Sequence, residues 1–464
     1  MSLKETLESV LKKVTPTDSE QKQTEAIIDT VLSAAGKIIK PYGISLTIAG
    51  SYVRDTWLPN KREFDLFLLF PEWYSREDLE KKGLSIGRRI VSRLKGKYTI
   101  AYAEHPYVRA TIEGFDVDIV PCFKVESAAK IRSAVDRTPF HNEWLGKNMK
   151  KSQAPQVRLF KQFCKGQGIY GSDTKTQGFS GYLCELLIVH FGDFRKLLRN
   201  VSQWKPGVFI DLEDHSDQEE AMKRFKKDPL VVIDPVDPKR NVAAALSAKN
   251  FTMLTDSSRK FLRDPSWKFF FKTPPRFSMR ELGSLMKKRE TKLLTVGFTR
   301  PDIIDDTLWP QLRKAGKRIH DTLQDYDFEV MDWDVFADEK KCYILFEMSV
   351  WKLPKVRKIR GPDIFSEKRV KEFKNKYQKL GRVWVDGEYW FAEVKREFMD
   401  TENKIAEFLR GKKAALREKG IPSYIAQSVS RNFAILKETE IQKIVKANTE
   451  FAGFLRDYFQ REMV

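Results

Sequence analysis

Two short apolar runs of the chain each carry a pair of acids one residue apart: Glu63 and Asp65 in EFDLFLLF, Asp116 and Asp118 in FDVDIVP. Both runs read as strands, and residues i and i+2 of a strand share a face. Glu63 and Asp65 therefore project together, while Phe64, Leu66, Leu68 and Phe70 turn into a core. Carboxylates side by side repel one another unless a cation sits between them. Magnesium suits such a set, held by one or two carboxylates and by substrate phosphates. Glu63, Asp65 and one of the two later aspartates could converge on two metal ions, the arrangement that serves in-line displacement at phosphorus. Just upstream, Gly50-Ser51 follows the short apolar strand Ser45 to Ile48. The glycine lets backbone approach a phosphate, and the serine offers it a hydroxyl and an N–H. Strand-end acids are usually solvated; the Gly-Ser turn, the Glu-x-Asp pair and a third acid together point to phosphoryl or nucleotidyl transfer.

The elements that must position these groups follow from hydrophobic spacing. A helix is expected from about Glu20 to Ile39, then the two acid-bearing strands of the first block, a helix from Arg76 to Leu94, a strand at Tyr98 to Tyr102, and a hairpin turning at Glu113-Gly114. This gives a small mixed sheet with helices on one side. His141 follows Thr138-Pro139-Phe140, where a structural hydrogen bond is its plain reading. A helix from Gln156 to Lys165 turns Val157, Phe160, Phe163 and Cys164 inward and Arg158, Lys161 and Lys165 to its other face, either solvated or phosphate-binding. Tyr170 in GIYG could stack on a base. Ser180 caps an apolar core helix, and strands at 208–212 and 230–233 lead to DPVDPKRN. That turn carries Asp234, Asp237, Lys239 and Arg240, for which a surface ion pair is the plain reading, and Asn241 is placed to cap the next helix.

A boundary is expected at Pro265 to Phe277. Beyond it, strands at 293–298, 328–335, 341–348 and 389–394 alternate with helices at 305–326 and 367–380. That βαββαβ order is ferredoxin-like, a frequent RNA-binding scaffold, here without the usual aromatic signature of RNA-binding sheets. WKLPKVRKIRGP places Lys352, Lys355, Arg357, Lys358 and Arg360 close together, the best candidate for gripping an RNA backbone. From Thr401 the chain is helical and basic.

Composition agrees. The 464 residues carry a net charge of +20, which favours a polyanionic partner. Four scattered cysteines without a C-x-x-C pair suit a reducing cytoplasm and argue against structural zinc. No apolar run is long enough to span a membrane, and the N-terminus reads as an amphipathic helix rather than a signal peptide.

Long collinear blocks go further: GSYVRDTWL, EFDLFLLF, AEHPYV, VDIVPC, SAVDRTPFH, VRLFKQF, GIYG, GFSGYLCELLI and DPVDPKRNVAAAL. Through them the chain resembles the archaeal-type (class I) CCA-adding tRNA nucleotidyltransferases of the polymerase-β nucleotidyltransferase superfamily. The resemblance implies a multidomain α+β fold: a polymerase-β-like nucleotidyltransferase head (1–145), a helical central domain (146–275), an RRM-like body (276–400) and a helical tail (401–464). It implies template-independent addition of C, C and A to tRNA 3′ ends from CTP and ATP, two Mg²⁺ ions, contact with the tRNA 3′ end and acceptor stem, a homodimer and a cytoplasmic setting. Matched by position, the metal ligands are Glu63, Asp65 and Asp118, with Asp116 where the family needs no acid. Ser51, Arg54, His141, Lys161 and Tyr170 match nucleotide-contacting positions, and Arg240 falls near the incoming base. A poly(A) polymerase or oligoadenylate synthetase-like nucleotidyltransferase shares the Gly-Ser and acid-x-acid elements, and a non-catalytic RNA-binding relative is the alternative from another class.

Overall fold

Phe64, Leu66, Leu68 and Phe70 do what their alternation requires: they fill one side of a sheet, in a computed structural model that describes residues 2–102, 104–271 and 279–459. The chain forms two compact units, one within residues 1–273 and the other within 274–462. The boundary anticipated at Pro265 to Phe277 runs into residues 272–278, which lie outside the described ones.

The first unit opens with helices α1 (Leu3–Val14) and α2 (Asp18–Ile39), each started by a capping box, Ser2 with Glu5 and Thr17 with Glu20. Strands β1 (Ser45–Ala49) and β2 (Glu63–Pro71), helix α3 (Arg76–Arg93), and strands β3 (Lys97–Tyr102), β4 (Pro106–Ile112) and β5 (Phe115–Lys124) follow. They form one five-stranded sheet in the order β1-β2-β5-β4-β3, with β2 and β5 parallel at its centre. Helices α2 and α3 cover the face filled by Phe64, Leu66, Leu68 and Phe70. On the opposite face the acids come first and Phe67 follows, packed with Ala49, Tyr107, Val120 and Cys122. The register sets Asp65 beside Ala49 on one side and beside Asp118 on the other.

A second core follows, built from α4 (Arg137–Asn148), α5 (Ala154–Gly166), α6 (Gly181–Phe191), α7 (Phe194–Val201), strand β6 (Val208–Ile210), α8 (Gln218–Arg224), strands β7 (Leu230–Asp234) and β8 (Asp237–Asn241), and α9 (Ala248–Arg263). Phe163, Phe194, Phe261 and Phe270 meet edge-on at its centre. Val10 and Val14 of α1 and Leu145 of α4 are buried in this core rather than in that of the five-stranded sheet. Of the expected faces of α5 the inward one holds, and Lys165 alone of the outward one is exposed: Arg158 and Lys161 are as buried as Val157 and Phe160. Asn241 caps no helix; it lies in β8 and bonds Val232 N and Leu230 O, while Ser247 caps α9.

The second unit comprises α10 (Met279–Arg289), β9 (Lys292–Thr299), α11 (Asp305–Asp325), β10 (Glu329–Ala337), β11 (Lys341–Val350), β12 (Val356–Asp363), α12 (Glu367–Tyr377), β13 (Gly381–Asp386), β14 (Tyr389–Lys395), α13 (Thr401–Leu409), α14 (Lys413–Glu418), α15 (Ser423–Arg431), β15 (Phe433–Leu436), α16 (Glu438–Ala447) and α17 (Thr449–Phe459). Its main sheet runs β10-β11-β9-β15, a ferredoxin-like order. The fourth strand is not Tyr389 to Val394, as the spacing suggested, but β15 from the basic tail. The expected strand instead joins β12 and β13 in a separate three-stranded sheet. Leu294, Val296 and Ile344 pack one face of the main sheet against α11, α13 and α15. Leu293, Phe336, Tyr343 and Leu345 pack the other against Ile441, Val445, Phe451 and Leu455 of α16 and α17. Among the described residues no helix is long and apolar enough to cross a membrane, and all four cysteines are buried and free.

Candidate active site

The acids meet where β2 and β5 begin. Because the two strands are parallel, Glu63 pairs with Asp116 and Asp65 with Asp118, all projecting to one side. They line a cavity of about 780 Å³ together with Gly50, Ser51, Arg54, Lys161 and Tyr170. Gly50 adopts φ +95°, and a Cβ there would lie 3.0 Å from Asp65 Oδ2, so both conformation and space demand glycine.

Asp65 is the electrostatic centre. Burial, and then the negative charges of Asp118 and Glu63, push its pKa up to about 7. Its outer neighbours each lean on a base: Glu63 bonds Lys61, and Asp118 takes both Nε (2.9 Å) and Nη2 (3.0 Å) of Arg109. As the side chains stand, no three His, Cys, Asp or Glu groups among the described residues are gathered tightly enough to hold an ion. The donor set nevertheless fits a hard dication: three carboxylates, the middle one disfavoured as an anion by its burial and by the charges of the other two. Asp116, by contrast, accepts from Thr111 Oγ1 at 3.1 Å, and Asp118, not Asp116, is the aspartate of β5 that raises Asp65.

The cationic side of the cavity is fastened from behind by Glu185 of α6. This carboxylate is wholly buried and accepts from Arg54 Nε (3.0 Å), Lys161 Nζ (3.0 Å) and the Thr56 hydroxyl. Burial alone would raise its pKa; Lys161, Arg54 and Thr56 together hold it below the usual carboxylate range. Arg54 also donates to Asn142, which in turn donates to Ile48 O at the end of β1. Lys161 spends its remaining protons on Thr56 O (3.2 Å) and Oγ1 (3.0 Å), and Arg158 holds Asp55. The loop after Gly50-Ser51 is thus gripped by buried cations of α5.

His141 and Arg240 lie beside a second cavity, of about 1120 Å³, which shares Thr138, His141 and Tyr182 with the first. His141 does make the hydrogen bond of its plain reading, Nε2 to Asp234 Oδ2 at 2.9 Å. Arg240 and Asp234 do pair, yet not on the surface: Asp234 is wholly buried. Sequence reasoning thus brought Ser51, Arg54, Glu63, Asp65, Asp118, Lys161, Tyr170 and His141 to one cavity and Arg240 to its neighbour. It missed Glu185, Asn142 and Tyr182. A glutamate inside GYLCELLIVHF was the available signal, since a carboxylate on a core helix must be paired.

In the second unit, Arg357, Lys358 and Arg360 lie on strand β12, with Lys352 paired to Asp400 through the backbone and Lys355 just ahead of the strand. Lys358 Nζ sits 3.9 Å over the Phe391 ring, and the Arg360 guanidinium 3.8 Å over that of Tyr389. Trp384 pairs with Phe391 on the neighbouring strand, so Lys358 and Arg360 share one face with aromatic rings, opposite α12 and its Phe373, and Arg357 alternates to the other face. Lys358 also lies 3.5 Å from Asp386, and Arg357 3.9 Å from Asp327.

Comparison with known proteins agrees with this geometry. Residues 28–141 match the model of a nucleotidyltransferase domain, 155–271 that of the tRNA nucleotidyltransferase second domain, and 289–438 that of the CCA-adding enzyme C-terminal domain. The CCA-adding enzyme of Methanosarcina mazei is 37% identical over 457 residues, covering 97% of each chain. That of Archaeoglobus fulgidus is 35% identical over 445 residues, covering 96% of this chain and 97% of its own. Among solved structures, a cytoplasmic RNA terminal U-transferase superposes with a TM-score of 0.46 at 15% identity, over 59% of this chain and 99% of that one. The sequence matches, not that likeness, carry the conclusion: the chain belongs to the family of archaeal-type CCA-adding tRNA nucleotidyltransferases.

Proposed function

We propose that the protein builds and repairs the 3′-terminal CCA of tRNA, adding C, C and A from CTP and ATP with release of pyrophosphate. The observation that carries this reading is Asp65 set between Asp118 and Glu63 beside the Gly50-Ser51 turn, in a chain related end to end to CCA-adding enzymes. Glu63, Asp65 and Asp118 would hold magnesium, two ions being the number the family implies. When bound, magnesium supplies Lewis-acid polarisation and neutralises the triphosphate.

The chain's own residues do the rest. The Gly50-Ser51 turn offers N–H and hydroxyl donors to the phosphates. Arg54 is clamped by Glu185 and Asn142 through three of its five N–H donors, which leaves two for an anion in fixed directions. Lys161 keeps Glu185 charged and adds positive potential at the cavity wall. His141, Tyr170 and Arg240 complete the nucleotide contacts. Lys352, Lys355, Arg357, Lys358 and Arg360 hold the tRNA, and the seating of Lys358 and Arg360 on Phe391 and Tyr389 matches the mix of charge and stacking that RNA calls for. The functional division is catalytic over 1–145, nucleotide- and primer-binding over 146–275, RNA-binding over 276–400 and a tail beyond, in a cytoplasmic homodimer.

The test is extension of a tRNA lacking its CCA, with magnesium, resolved at single-nucleotide length. CTP alone gives two additions, and ATP then gives one more and a stop. Long runs of A would make the protein a poly(A)-type polymerase, and tight tRNA binding without extension a binding module. Asp65→Ala and Asp118→Ala should each nearly abolish addition while tRNA binding survives; wild-type-like turnover in either sinks the assignment of these acids.

A further inference from the structure

The wall between the two cavities is organised by a residue that touches neither of them. Asp234 ends β7, after four consecutive buried apolar residues, and is itself wholly buried. Its Oδ2 accepts from Arg240 Nη1 at 2.6 Å and faces His141 Nε2 at 2.9 Å. Its Oδ1 accepts from the Tyr182 hydroxyl at 3.3 Å and from Val236 N at 3.1 Å. His141 and Tyr182 also stack, ring centroids 4.2 Å apart and planes at 27°. One carboxylate therefore fixes three side chains drawn from α4, α6 and β8.

The three held groups differ in what they present. The His141–Tyr182 ring pair faces both cavities. Arg240 uses one nitrogen on Asp234, and its side chain remains 38% exposed at the second cavity. A guanidinium anchored at Nη1 keeps its other N–H groups for a ligand at that cavity. Discrimination between bases needs such a fixed donor, because a loosely held one rotates to suit any acceptor. A hydrogen bond between charged groups, made to a carboxylate that is itself buried from water, is also what makes the anchor firm.

We propose that Asp234 is a positioning residue for nucleotide selection. Its carboxylate holds Arg240 and the His141–Tyr182 pair as the surface against which the base of the incoming triphosphate is matched. The proposal rests on the functional reading above and assigns selectivity to a residue that itself contacts no substrate.

The measurement is kcat/KM for CTP and for UTP in first-nucleotide addition to tRNA lacking its CCA, for the full-length wild type, Asp234→Asn, Arg240→Gln and the double variant. In Asp234→Asn the preference for CTP over UTP should shrink by about tenfold or more, the effect of losing one hydrogen bond between charged groups. The KM for CTP should rise while the KM for tRNA stays put. In the Arg240→Gln background the same change should remove about twofold or less of the remaining preference, since Arg240 is the one of the three held groups that offers charged donors to the base. A structural role alone would lower the active fraction, which cancels in the ratio. A wild-type CTP/UTP ratio in Asp234→Asn therefore overturns the proposal, as does full additivity with Arg240→Gln. Should Asp234→Asn fail to fold, Asp234→Glu provides the same ratio, and an unchanged value there overturns it equally. A wild-type enzyme that adds nothing to the tRNA would instead sink the functional reading itself.

Discussion

At the scale of single residues, Asp65 carries a conflict between folding and chemistry. Its pKa, pushed up to about 7, lies above that of a carboxyl in an unfolded chain, so the folded state binds this proton more tightly. Between roughly pH 4 and pH 7 the native state then holds more protons than the unfolded chain, and stability falls as pH rises through that window. Asp65→Asn removes the liability along with the function. Without divalent ions its melting temperature should match the wild type near pH 4 and exceed it increasingly up to pH 7, with a plateau above. Magnesium should raise the melting temperature of the wild type more than that of the variant. A variant less stable than wild type at pH 8 in chelator would show that Asp65 is not strained by its neighbours.

At the scale of elements, the expectation that failed is the more instructive one. The alternation of EFDLFLLF and FDVDIVP made the acid-bearing strands legible, because a period of two is a local property. The Gly-Ser turn was legible for the same reason. Helix α5 was not, because charge in a single sequence reads as solvent exposure. Arg158 and Lys161 are buried against Asp55, Thr56 and Glu185, partners supplied by distant parts of the chain. Asp234 was misread as a surface ion-pair partner for the same reason. Likewise β15 has only four residues, too few to compete in a pattern search with Tyr389 to Lys395, and only its pairing with β9 identifies it. The buried pair gives a prediction: Lys161→Met removes one of the two cations on Glu185. It should cost about 3–5 kcal/mol of stability, read from denaturant unfolding. A loss below 1 kcal/mol would mean that Lys161 is free to serve the substrate alone.

At the scale of the whole molecule, a net charge of +20 sets how the protein meets tRNA. Phosphate contacts release counterions, so affinity falls with salt in proportion to their number. Replacing Lys352, Lys355, Arg357, Lys358 and Arg360 with glutamine should flatten the slope of log affinity against log salt by about 2–4. The full value for five contacts is not expected, since Lys358 and Arg357 have acidic neighbours. The KM for CTP should be unchanged. An unaltered slope would move the tRNA-binding surface elsewhere.

The pairing of β15 with β9 also sets the order in which the polypeptide can mature as it leaves the ribosome. Every strand among the described residues of the first unit lies within residues 45–241, so its sheets can close while the second unit is still being made. The second unit has no such freedom. Its strand β9 waits for residues 433–436 to gain its second neighbour, and Phe336, Tyr343 and Leu345 wait for α16 and α17 to cover them. Throughout that interval a nascent chain displays an open strand edge and an aromatic surface, the features that chaperones capture and that drive aggregation. The demand for assistance in the cell therefore falls on the second unit, after the first is already formed.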